Sequence, residues 1–170
     1  MAGIYIHIPF CRRACTYCNF FFSVSLKQKS NLIDALIKEI ELRKNYLEGE
    51  FISSIYFGGG TPSLMDASVI RRILDVIENN FTVVKDAEIT LEANPDDLTG
   101  SKLHDFAEAL INRLSIGVQS FSDADGRRLR GTMGQESNDG DPRRRQRGNS
   151  NHFPEETAGR TKRRAASVPL

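Results

Sequence analysis

Between Ile4 and Val118 short β-branched runs alternate with stretches of helical apolar spacing, and this alternation restricts the possible folds more than any other feature. Ile4-Tyr5-Ile6-His7-Ile8 reads as a first strand that ends at Pro9. Ser30 precedes Leu32, Ile33, Leu36, Ile37, Ile40 and Leu47, a spacing that puts one apolar face on a helix ending near Gly49, with Lys38, Glu39, Glu41 and Lys44 elsewhere. Phe51 to Phe57 forms a second strand broken by Gly58-Gly59-Gly60, and Val69 to Ile77 a second helix with Asp66 as its cap. Ala87 to Ala93 sets Ile89, Leu91 and Ala93 against Glu88, Thr90 and Glu92; Lys102 to Leu110 is a third helix and Leu114 to Val118 a fourth strand. Four strands joined by three helical crossovers predict an α/β fold with a parallel sheet.

Sites in such folds gather beyond the carboxyl ends of the strands. Here those ends carry Cys11, Cys15 and Cys18, then Gly58 to Thr61, then Glu92-Ala93-Asn94-Pro95, then Gln119-Ser120. Every unusual feature is expected on one rim.

The net charge of +1 over 170 residues conceals two unlike parts. Up to Asp125 there are 12 basic and 17 acidic residues; from Gly126 to Leu170 there are 11 and 5. The second part has six Gly and three Pro, and its apolar side chains other than Ala are Leu129, Met133, Phe153, Val168 and Leu170. That is too little to offset chain entropy, so the expected organisation is a folded part over 1–125 and a disordered basic tail over 126–170. Arg143-Arg144-Arg145-Gln146-Arg147 and Lys162-Arg163-Arg164 could meet phosphates, but no aromatic residues interleave them. A solvated, at most non-specific interaction segment is the reading, and nucleic acid is not an expected partner. No run approaches the ~18 apolar residues of a membrane span, and Met1 to Phe10 lacks a signal-peptide layout, so a cytoplasmic location is expected.

All three cysteines lie between positions 11 and 18, too close together to staple a secreted fold. Cys11-x3-Cys15-x2-Cys18 offers three thiolates for three corners of a cubane iron–sulfur cluster, leaving one iron for an exchangeable ligand. Zinc is a competing reading that needs a fourth ligand, for which His7 is nearby in sequence, and metal-free thiols are a third.

Tyr5-Ile6-His7-Ile8-Pro9-Phe10-Cys11, then Cys15, Tyr17, Cys18 and Phe20, then Gly58-Gly59-Gly60-Thr61-Pro62-Ser63, and Asn112 through Phe121 together resemble the radical S-adenosylmethionine (radical SAM) proteins. Within them the pattern is similar to the oxygen-independent coproporphyrinogen III oxidase-like group that includes the HemW heme chaperones. The resemblance implies that Cys11, Cys15 and Cys18 hold a [4Fe-4S] cluster whose fourth iron is chelated by S-adenosylmethionine. It also implies that Tyr5 and Tyr17 line the cofactor pocket, that Gly59, Gly60 and Thr61 approach the methionine end of the cofactor, and that Glu92 and Gln119 contact it. The implied chemistry is one-electron cleavage of the sulfonium to a 5′-deoxyadenosyl radical. A tetrapyrrole, heme or coproporphyrinogen III, and an electron donor are the implied partners, and heme is a further candidate cofactor.

Two departures from the family pattern shape these expectations. The oxidases resemble Cys-x3-Cys-x2-Cys-x-Cys, whereas the last position here is Phe20, which favours the heme-chaperone branch over the decarboxylating oxidoreductases. His7 is a conceivable heme ligand, but in an apolar strand it reads as a packed structural residue. After Asp125 the resemblance ends: the cofactor-contacting Arg expected twelve residues beyond Gln119 is Gly131. Family members are more than twice this length and close a partial (β/α)6 barrel, followed by a separate C-terminal region. The expected architecture is therefore an incomplete radical SAM (β/α)6 partial TIM barrel of about four strands, with a frameshift or erroneous gene end near Gly126 accounting for the tail. Such a sheet should have an unpaired edge at its fourth strand and an apolar face without cover. The alternative function is an inactive fragment.

Overall fold

The computed structural model describes residues 1–15, 18–120 and the backbone of a strand at Ala166–Pro169. Strands β1 (Ala2–Ile8), β2 (Ile52–Gly59), β3 (Val83–Ala93) and β4 (Arg113–Ile116) lie side by side in chain order and run parallel. Helices α1 (Lys29–Leu42), α2 (Ala67–Asn80) and α3 (Gly100–Glu108) connect them. The α/β class, the four parallel strands and the three crossovers are those that the alternating pattern predicts.

The period of two along each strand gives the sheet two unlike faces. Ile6, Phe57, Leu91 and Leu114 are in register across all four strands and buried, and they share one core with Ile33, Ile70, Ile73, Leu74, Ile77 and Phe106 of the helices. One residue back, Tyr5, Tyr56, Thr90 and Arg113 form the row on the opposite face. There Arg113 pairs with Glu88 at 2.6 Å, which holds the Glu88 carboxyl below its ordinary range. The expectation of an uncovered apolar face is thus corrected: the helices cover the apolar face, and the open one carries tyrosines, charges and hydroxyls.

The core spacing of α2, Ile70-Ile73-Leu74-Ile77, is the helical i, i+3, i+4, i+7 pattern, with Arg71 and Asp75 paired at 2.6 Å on its outer side. Asp66 occupies the N-cap as expected, yet its side chain makes no capping bond. Its Oδ2 lies 2.9 Å from Lys29 Nζ instead, joining the start of α1 to the start of α2 and lowering the Asp66 pKa. α1 stops at Leu42, before the predicted end near Gly49. The Arg43 N–H is shared between the Glu39 and Ile40 carbonyls, a tightening that ends the helix, and Glu48 and Gly49 then take positive φ to turn the chain into β2. Asn112 fixes the corner before β4, donating from Nδ2 to Ala87 O and accepting the Ile89 N–H, both at 2.8 Å.

Two further expectations change. The glycines do not break β2 at once, because Gly58 and Gly59 continue the ladder opposite His7 and Ile8. The edge of β4 is not bare either, for β5 (Ala166–Pro169) pairs with it antiparallel, so four residues of the expected disordered tail are a strand. An edge strand offers a row of unpaired N–H and C=O groups, and β5 lies along all four residues of β4, with Pro169, which has no N–H to donate, opposite Arg113. The boundary at Asp125 and the basic clusters lie outside the described residues. Among the described residues no helix is long and apolar enough to cross a membrane.

Because Leu74 is 1 % exposed at the centre of this core, Leu74→Ala is expected to lower stability by about 3 kcal/mol. The checking measurement is the urea midpoint; an unchanged midpoint contradicts the described packing.

Candidate functional site

The cysteines occupy a loop that leaves β1 and returns to it. Phe10 bridges Ser23; Cys11 N donates to Ser23 O at 3.0 Å and Ser23 N to Pro9 O at 2.7 Å, closing the base of the loop beside Cys11. Within it Cys18 N donates to Cys15 O at 3.1 Å. All three thiols are free and half-buried. Among the described residues no three His, Cys, Asp or Glu side chains converge on a single-ion site. His7, considered above as a fourth zinc ligand, has its Nδ1 3.1 Å from the Tyr5 hydroxyl.

The glycine segment packs directly onto this loop. Gly60 N donates to Ile8 O at 2.8 Å and Thr61 N to Phe10 O at 2.7 Å, while the Thr61 hydroxyl donates to Cys11 Sγ at 3.6 Å. A Cβ on Gly60 would stand 2.6 Å from Phe10 O and 3.0 Å from Cys11 Sγ. Gly59 has φ +113°, and a Cβ there would meet the His7 ring at 2.7 Å. The glycines are thus needed for contact with β1 and the cysteine loop, and the N–H groups of Gly59, Gly60 and Thr61 all donate within the chain. Burial pushes the Cys11 thiol above its usual range, the Thr61 hydrogen bond offsets part of this, and proximity to Cys18 and Cys15 adds to the rise.

Glu92, half-buried at the end of β3, uses both carboxylate oxygens: Oε1 accepts from the Tyr56 hydroxyl at 2.8 Å and Oε2 from Gly59 N at 3.0 Å. Tyr5 stacks on Tyr56 with ring centroids 6.0 Å apart. Burial and the Glu92 charge both raise the Tyr5 pKa; burial raises that of Tyr56, with Ser115 hydrogen bonding lowering it and Glu92 raising it. The structure therefore brings Cys11, Gly59, Gly60, Thr61 and Glu92 together at the carboxyl ends of β1 to β3, with Tyr5 beside Tyr56 from the middle of β1. Gln119 follows β4 and is exposed. Tyr17 lies outside the described residues.

The sequence reading missed Tyr56, and it missed a polar knot below the glycine segment. Ser63 donates to Asp97 Oδ2 at 2.8 Å and accepts from Asn94 N at 3.2 Å, and the Lys102 ammonium donates to Ser63 O. Arg12, next to Cys11, lies 2.7 Å from Asp97 Oδ1. The available signal was positional: Pro62-Ser63 and Asn94-Pro95-Asp96-Asp97 each follow a predicted strand.

A cysteine loop after the first strand of a parallel sheet, seated on a glycine turn after the second, defines a class, and the chain belongs to the radical SAM superfamily, whose pattern it matches over residues 5–145. That match runs past Asp125. Among curated relatives, the heme chaperone HemW of Buchnera aphidicola subsp. Schizaphis graminum is 40% identical over 122 residues, covering 71% of this chain and 32% of that protein. The heme chaperone HemW of Escherichia coli K12 is 38% identical over 130 residues, covering 75% and 34%. The mitochondrial radical S-adenosyl methionine domain-containing protein 1 of Danio rerio is 40% identical over 122 residues, covering 71% and 28%. The chain therefore spans about a third of the length of the curated relatives it matches. Among solved structures, the radical SAM enzyme coproporphyrinogen III oxidase (HemN) of Escherichia coli superposes with a TM-score of 0.69 at 33% identity, over 76% of this chain and 31% of that one.

Two outcomes are expected from this geometry. Gly60→Ala must displace the cysteine loop and lower stability by about 1–3 kcal/mol in thermal melts, whereas Gly100→Ala, where a Cβ meets nothing within 4 Å, leaves it unchanged or higher. Ultraviolet titration should find Tyr5 and Tyr56 ionising above the ordinary tyrosine value of about 10. The fold prefers their neutral form, so this contribution to stability is full below that value and is lost as pH rises through the raised pKa values. Glu92→Gln should move both back toward normal without abolishing the shift, because burial is the larger cause.

Proposed function

We propose that this chain acts as the N-terminal part of a radical SAM protein of heme metabolism. In this reading Cys11, Cys15 and Cys18 hold a [4Fe-4S] cluster, and Tyr5, Tyr17, Gly59, Gly60, Thr61, Glu92 and Gln119 line the S-adenosylmethionine pocket. The observation that carries it is the seam between Cys11 and the glycine turn, where Thr61 hydrogen-bonds the Cys11 sulfur and Gly60 leaves no room for a side chain. Three free, half-buried thiols on one closed loop are a donor set suited to iron–sulfur ligation. When bound, the cluster and S-adenosylmethionine supply reductive carbon–sulfur cleavage and hydrogen-atom abstraction.

The chain's own residues would support that chemistry in specific ways. The Thr61 hydroxyl stabilises negative charge on the Cys11 sulfur, and a hydrogen bond to a ligating sulfur is one of the levers on a cluster's potential. Glu92 holds Gly59 and Tyr56 in fixed positions through its two oxygens. Tyr5, 59 % exposed, offers a ring and a hydroxyl on the open face. The three helices shield the other face of the sheet from water.

The branch we favour is the heme chaperone, with heme or coproporphyrinogen III as the tetrapyrrole and a separate electron donor. Phe20 standing where the oxidase pattern has a fourth cysteine supports this, as does the naming of relatives as heme chaperones. A cytoplasmic site of action belongs to the same reading, because three reduced thiols need a reducing compartment. The second reading is an inactive fragment, and one experiment tests both.

Anaerobic reconstitution with iron and sulfide, followed by electron paramagnetic resonance with and without S-adenosylmethionine, separates these readings. We expect about four irons per chain, a reduced-cluster signal that changes with S-adenosylmethionine, and loss of the iron in Cys15→Ala. Iron uptake without a response to S-adenosylmethionine supports the fragment, and no iron uptake overturns the cluster assignment. A difference-spectrum titration with heme then tests the branch.

A further inference from the structure

We propose that the Arg12–Asp97 ion pair is a tether that holds the cysteine loop against the carboxyl ends of β2 and β3, making both residues positioning residues for the thiols. Its bearing on cluster binding rests on the reading above; its bearing on the loop does not.

Asp97 is the buried end of this tether. Its side chain is 1 % exposed in the turn after β3, and Ser63 from the turn after β2 donates to its Oδ2. Ser63 is itself held by the Asn94 N–H and, through its carbonyl, by the Lys102 ammonium. Asp97 Oδ1 has no aligned hydrogen-bond donor among the described residues, and the Arg12 guanidinium approaches it at 2.7 Å. A buried carboxylate with no cation beside it is strongly unfavourable, so the fold gains most when Arg12 stays in place. Arg12 directly follows Cys11, and its side chain is 62 % exposed along its path from the loop to Asp97. The backbone bonds at Phe10, Cys11 and Ser23 close only the base of the loop. Beyond that base the Arg12 side chain ties the segment leading to Cys15 and Cys18 to a fixed point on another part of the sheet.

The test compares the parent chain with Arg12→Gln, Arg12→Lys, Asp97→Asn and the double variant Arg12→Gln/Asp97→Asn. The first readout is the alkylation rate of each cysteine in the metal-free chain, followed by mass spectrometry. The second is iron retention against a chelator after reconstitution, with the electron paramagnetic resonance line shape. Arg12→Gln and Asp97→Asn should each speed alkylation of Cys15 and Cys18 and iron loss about fivefold, a modest effect because one partner is exposed. The double variant should do no more than either single one, as expected of one shared interaction. Arg12→Lys, which keeps the charge, should stay within about twofold of the parent.

Arg12→Gln rates equal to the parent's overturn the tether. Opposite effects of Arg12→Gln and Asp97→Asn also overturn it, in favour of a charge acting on the thiols from a distance. Should Asp97→Asn fail to fold, Arg12→Gln and Arg12→Lys decide alone, with far-ultraviolet circular dichroism checking that the fold is kept. A parent chain that takes up no iron removes the cluster reading while the alkylation arm still decides the tether.

Discussion

The site depends on a backbone approach that tolerates nothing larger than hydrogen. At the end of β2 the chain comes so close to the end of β1 that a methyl group on Gly60 would lie inside contact distance of both the Phe10 carbonyl and the Cys11 sulfur. The same approach lets Gly60 and Thr61 continue the hydrogen bonding of β1 past its last strand residue. A parallel ladder is thereby extended into the cysteine loop. The base of the loop inherits its position from the sheet.

A second dependence is on the strand period. With one residue of each pair turned into the helices and the next turned away, the fold needs a single apolar layer for stability and leaves the other side free for polar chemistry. Glu92 shows the arrangement in miniature: its neighbours Leu91 and Ala93 are buried in the apolar layer, while its carboxylate reaches across the open side to Tyr56 and Gly59. The apolar layer and the polar site lie on opposite sides of the same strand, although the polar side is not wholly open, for Thr90 in its row is 1 % exposed.

Much of this was legible in the sequence. The alternation Ile89, Leu91, Ala93 against Glu88, Thr90, Glu92 located β3 and its buried side, and the spacing of Ile70, Ile73, Leu74 and Ile77 located α2, because both signals are local. The gathering of cysteines, glycines and Glu92 on one rim followed from the parallel topology. What stayed hidden is what distant residues decide. Asp66 sits where a cap should be, but Lys29 from another helix takes its carboxylate. Gly58 and Gly59 look like a break until β1 is present to pair with them. Arg12 and Asp97 are two ordinary charged residues in sequence and become partners only once the ends of β1 and β3 are brought to the same rim.

The sheet order β1-β2-β3-β4 is also the order of synthesis, and this gives the thiols a history in time as well as a place in space. Cys11 leaves the ribosome with β1, but its hydrogen-bond partner Thr61 is 50 residues downstream, and Asp97 comes later still. At about 5–20 residues per second, several seconds of synthesis separate the cysteines from the residues that hold their loop in the folded chain. A chain built this way exposes its thiols to the redox conditions of its surroundings before the folded contacts that half-bury them can form.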